Sequence, residues 1–147
     1  MYKLILKLTV AIAVLAIFSW FSSKSPDAPK YDEKLMTHVQ FTGTITYIET
    51  SHNHNFSIFG IKLDSSNTPH YFDTSEVAIA PYSIKDSNAE FYREMPYHAT
   101  IGVKVVLDAD KKKIWFYDND KLLGSADIRY NHSPTNIKFV REHSRLK

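Results

Sequence analysis

The sequence contains no cysteine. This excludes disulfides, cysteine-ligated zinc, iron–sulfur clusters, thiol catalysis and an acylated cysteine as a membrane tether. Glycine is scarce, at Gly43, Gly60, Gly102 and Gly124. Four scattered glycines build no phosphate cradle, and neither G-x-G-x-x-G, a P-loop nor G-x-S-x-G occurs. An excess of one charge is missing too. From Lys30 onward, 15 Lys and Arg stand against 15 Asp and Glu. A neutral domain lacks the electrostatic footprint that binding to a phosphate backbone requires, so nucleic acid is not an expected partner.

Aromatic residues are abundant, with nine Tyr, nine Phe and two Trp in 147 residues. They bury large areas and suit strands better than helices. The one long apolar run is near the start. Leu8–Phe21 holds 14 residues without a charge, and 18 if the run is taken from Leu4 with Lys7 reaching back to the interface. About 20 residues span a hydrocarbon core, so the segment falls between a signal-peptide core and a full span. Cleavage after Ser22 or Ser23 would place Trp20 or Phe21 where signal peptidase requires a small residue, and cleavage after Ser25 would leave Pro26 next to the cut. A retained anchor is therefore the expectation.

Residues 1–23 read as a signal-anchor helix whose residues 4–21 contact the membrane. Residues 24–36, rich in Ser, Pro and charge, read as a linker, and 37–147 as an extracytoplasmic domain. Lys3 and Lys7 favour a cytoplasmic N-terminus. The expected address is the cytoplasmic membrane, single-pass, with the domain in the periplasm or outside.

From His38 the period becomes two. Val39, Phe41, Gly43, Ile45 and Tyr47 predict a half-buried strand. Ser51–Asn55 predicts a turn, followed by a second strand whose phase slips at Gly60, as a bulge would cause. Val77–Ile84 reads as an exposed edge, because Pro81 excludes a central position. Ser87 and Glu90 form an S-x-x-E capping box ahead of Phe91, Tyr92 and Met95, which predicts one short helix stopped by Pro96. Ile101–Leu107, Lys113–Asp118 and Lys121–Ile128 predict a meander with turns at Asp108–Lys111 and Asp118–Lys121. A last strand is expected at Ile137–Val140. The fold class expected is mainly β. From His38 to Ile128 the element order resembles a small Greek-key barrel of the OB type, with a β-roll or sandwich as the alternative.

Two groups of residues carry candidate chemistry. His52 and His54 form H-x-H, and positions two apart on an extended chain point to one side, so both could hold one metal, with His70 as a further ligand. Two polar residues in a solvated turn would look the same. Trp115 and Tyr117 share one strand face beside Lys111, Lys112 and Lys113. Aromatic platforms near cations are how OB folds hold sugars or single strands. Equally, that face could be core. No cofactor is implied, and no catalytic residue stands in a recognisable motif. The expected function is a protein-binding module whose partner is another envelope or secreted protein. It would serve either as an accessory subunit of an envelope complex or as a toxin-neutralising immunity-type protein. The alternatives are an oligosaccharide or single-strand binder and a small metal-dependent enzyme at His52 and His54.

Overall fold

The computed structural model describes residues 38–72 and 75–146. The anticipated anchor, 1–23, and linker, 24–36, lie outside the described residues. No helix among the described residues is long and apolar enough to cross a membrane.

Eight strands form one antiparallel sheet: β1 Gln40–Thr50, β2 Phe56–Ser66, β3 His70–Tyr71, β4 Tyr82–Lys85, β5 Asn88–Glu94, β6 Lys104–Asp108, β7 Lys113–Asp118 and β8 Lys121–Asp127. Helix α1, Pro134–His143, follows. The strand order is β3-β4-β5-β2-β1-β6-β7-β8. The long β1–β2 hairpin is thus central, and later hairpins are added on either side.

The sheet curls over itself. Phe41 on β1 meets Tyr82 on β4 edge-to-face at 6.0 Å, although the two strands are three places apart in the sheet. Ile84 of β4 and Phe116 of β7 belong to the same buried cluster. Each such side chain removed from water contributes about 1.5–3 kcal/mol. The expected barrel does not close. The edges β3 and β8 form no ladder with one another. β3 has only two residues, and among the described residues one isolated bridge joins Ile79, ahead of β4, to Asn131, after β8.

Several expectations are corrected. The segment 88–94 is strand β5, not a helix. Asp86 and Ser87 form a two-residue turn between β4 and β5, with Asp86 at φ 56°. Ala89 and Phe91 then face the main core, while Tyr92 faces a second cluster. Two-sided burial removed the alternation that would have announced a strand. Val77–Ile84 is not a sheet edge, because Tyr82–Ile84 lies in β4 between β3 and β5, with Tyr82 and Ile84 fully buried. The segment Ile137–Val140 is helix, not strand. Pro134 at the first turn and the buried triplet Asn136, Ile137 and Val140 fit a helical arc, and Arg141 and His143 complement its last turn.

The slip expected on β2 falls on β1. Ile45 pairs with Ile61 and Tyr47 with Gly60, which leaves Thr46 as the extra residue. This bulge reverses the phase of β1. Ile45 faces the main core, whereas Tyr47 crosses to the opposite face. That face is covered by α1, whose Val140 packs with Phe56, Ile58 and Tyr92.

Candidate functional site

The H-x-H residues sit where expected, in the β1–β2 turn. His52 and His54 are exposed, and His54 and Asn55 adopt φ of 50° and 54°. The turn is fastened to α1 by Asn53 Nδ2, which donates to Asn136 Oδ1 at 2.8 Å. His70 is elsewhere. It pairs in register with Lys85 on β4 and lies 3.5 Å from Asp86. Lys85 opposes Asn88, which opposes Lys62 on β2, whereas the H-x-H turn adjoins Phe56. Six residues of strand separate the two rows, about 20 Å. The structure therefore does not bring His70 to His52 and His54. Among the described residues, no group of three or more His, Cys, Asp or Glu is placed to hold a metal ion.

Trp115 and Tyr117 do share a strand face, opposite Ile114 and Phe116, which are core. Both rings are half-buried. Lys111 Nζ lies 5.8 Å from the Trp115 ring centre and pairs with Asp108 at 3.1 Å. Lys113 Nζ pairs with Asp127 at 3.1 Å. Lys112 occupies the turn before β7 at φ 51°. Carboxylates thus compensate Lys111 and Lys113, and the strip is not a bare cationic track. A shallow hollow of about 340 Å³ adjoins Tyr117, with Thr42, Lys104, Asp64 and Asp120 around it.

Two features escaped the sequence reading. The first is a buried carboxylate. Glu90 is 0% exposed. It accepts hydrogen bonds from the Tyr47 hydroxyl, from the Tyr92 hydroxyl at 2.8 Å and from the Arg145 backbone N–H at 2.7 Å. A buried carboxylate persists only when its lone pairs are satisfied, and these three donors do so. Burial, followed by the hydrogen bond to Glu90, pushes the Tyr47 hydroxyl well above the usual tyrosine range. Burial and the neighbouring Glu90 charge do the same to Tyr92, against opposing hydrogen bonds from Ser83 and Ser144. The phenols therefore stay neutral donors.

The geometry rests on Gly60. This glycine pairs with Tyr47 on one side and Glu90 on the other. The Tyr47 ring lies across it so closely that a Cβ at position 60 would sit 1.7 Å from a ring carbon. The capping-box reading concealed Glu90. Its one sequence signal was an acid directly before the Phe91–Tyr92 pair.

The second feature is the connection from β5 to β6. Ala99 and Val103 are buried at 3% and 6%, and Gly102 N–H donates to Ile45 O at 2.8 Å. His98 packs against Gly124 of β8, where a Cβ would come within 2.5 Å of the imidazole. The loop is pinned at three points, yet Tyr97 is 94% and Ile101 65% exposed. The expected strand through Ile101 begins only at Lys104. His38 lies beside Asp110 and Gln40 opposite Asp108, at the other end of β6 from this loop.

No protein-family model matches the chain, and neither a curated protein nor a solved structure matches it significantly.

Proposed function

We propose that this chain is a membrane-anchored, extracytoplasmic protein-binding module, acting as an accessory subunit of an envelope complex or as an immunity-type protein that neutralises a toxin. The observation that carries the reading is the pinned loop with its exposed Tyr97 and Ile101. A large apolar side chain on a mobile loop costs little to expose and pays entropy to bind. On a loop held by Ala99, Val103 and His98, that entropy is already spent, which is the economy of a binding hot spot. Loops positioned by a rigid sheet are the usual place for such contacts. The apolar N-terminal segment supports the anchor, and the neutral domain supports a protein partner over a polyanion.

The test is affinity capture from detergent extract with the unmodified chain and with a Tyr97→Ala, Ile101→Ser variant. A stoichiometric partner lost in the variant supports the reading. A resident membrane protein indicates an accessory subunit, and a secreted toxin indicates the immunity role. Partners retained equally by both chains, or none at all, count against it.

A second reading has one observation in its favour. Trp115 and Tyr117 lie on one face, and Tyr117 lines the hollow with Asp64, Lys104 and Asp120. Ring faces beside carboxylates and hydroxyls suit an oligosaccharide, and stacked rings suit a single strand. Titration with glycans and oligonucleotides while following tryptophan fluorescence separates these two. The metal-dependent alternative has no such support, given the distance of His70 from the H-x-H turn.

A further inference from the structure

The helix α1 ends at His143, and Ser144 leaves it in an extended conformation, φ −58° and ψ 135°. The next two residues are held in four ways. The Arg145 backbone N–H donates to Glu90 Oε1 at 2.7 Å. The Arg145 guanidinium lies 3.9 Å from the centre of the Tyr47 ring, with Nη2 3.9 Å from Glu49 Oε2. Leu146 is buried, at 8% exposure. Glu49 also pairs with His143, which stacks on Phe139 at 4.6 Å.

We propose that Tyr47, Glu49 and Glu90 together form a groove that docks an extended peptide carrying an arginine followed by an aliphatic residue, and that Ser144–Leu146 occupies it in cis. A main-chain donor, a cation on an aromatic face and a buried aliphatic side chain are the elements by which grooves recognise extended segments. The charges agree: one carboxylate, Glu49, faces both the Arg145 guanidinium and His143, while Glu90 takes the Arg145 main-chain N–H. The side-chain ion pair is also exchangeable. The Arg145 side chain is 62% exposed, so its ion pair is weak and solvent-screened. A segment tethered to α1 reaches the groove at high effective concentration, so a partner peptide of like chemistry binds only by displacing it. The site is separate from the Tyr97 loop, and the proposal holds whether or not that loop binds a partner.

The test uses the full chain in detergent with two changes, Arg145→Ala and Leu146→Ala, and a fluorescent peptide of the sequence 143–147, read by anisotropy. The variant is expected to bind the peptide saturably, with affinity about tenfold or more above that of the unmodified chain, whose own segment blocks the groove. A control peptide with alanine at both altered positions is expected not to saturate. No binding by the variant, or equal binding by the unmodified chain, overturns the proposal. Hydrogen exchange on the unmodified chain tests it independently of the variant's folding. Excess peptide is expected to speed exchange of the Arg145 amide by releasing it from Glu90, and an unchanged rate at saturating peptide contradicts the proposal.

Discussion

Tyr47 donates a hydrogen bond to Glu90 across the face of Gly60, the three residues standing side by side on β1, β2 and β5. The bulge at Thr46 turns Tyr47 to that face, and the missing Cβ of Gly60 lets the ring lie flat.

Gly60→Ala should therefore destabilise the domain by about 1–3 kcal/mol through overpacking. In a Tyr47→Ala background the ring is gone, and the same change should cost much less. Denaturant midpoints of the four chains form a double-mutant cycle. Additive effects would show that ring and glycine are not in contact.

Removing one donor from Glu90 differs from removing the acceptor. Tyr47→Phe leaves the carboxylate two donors, from Tyr92 and Arg145, and should cost about 1–2 kcal/mol. Glu90→Ala removes the shared acceptor of both phenols and the Arg145 amide, leaving Tyr92 only its Ser83 and Ser144 partners, and should cost more, about 2–4 kcal/mol. Urea unfolding followed by circular dichroism orders the two, and the reverse order would refute the network.

Alkali should weaken the fold. The pKa values of Tyr47 and Tyr92 are raised in the folded state, by burial first and by Glu90 next. Their contribution is complete below the unfolded tyrosine value of about 10 and declines as pH rises above it. The melting temperature should fall above about pH 10, and less steeply in Tyr47→Phe. Equal slopes in the two chains would contradict this assignment.

Acid acts through Asp108. Its burial raises the pKa, but hydrogen bonds from Lys111 and Gln40 and the Lys111 charge outweigh this and hold it below the usual carboxylate range. Its contribution is present above the unfolded value of about 3.9 and lost as pH falls through the folded one. Asp108→Asn should flatten the acid limb of a stability–pH curve, and an unchanged limb would show that other carboxylates control it.

The hairpins were legible where one face was wet. The turns at Asp108–Lys111 and Asp118–Lys121 stand between β6, β7 and β8 as their polar residues imply, with Asn119 and Asp120 at positive φ. The order failed where both faces were dry. In β5, Phe91 and Tyr92 are buried on opposite sides, so a two-residue period was invisible and Ser87–Glu90 mimicked a helix cap. α1 was missed because its apolar arc is short, Ile137 and Val140, and mixes with charge. Of the candidate site residues, Trp115 and Tyr117 fell on one face because neighbouring alternation is local. His70 and the H-x-H pair were separated because their relation depends on how β4, β5 and β2 pair. Glu90 was hidden for the same reason, since its partners lie 43 and 55 residues away at Tyr47 and Arg145.

The exposed Tyr97 and Ile101 carry the proposed function. A photo-crosslinking amino acid in place of Tyr97, with a second at the exposed position Lys138 of α1 as control, tests it in living cells. Tyr97 is too exposed for the substitution to alter stability by more than about 0.5 kcal/mol. The account predicts one discrete crosslinked protein from position 97 and none from position 138. No product at 97, or the same products from both positions, would contradict it.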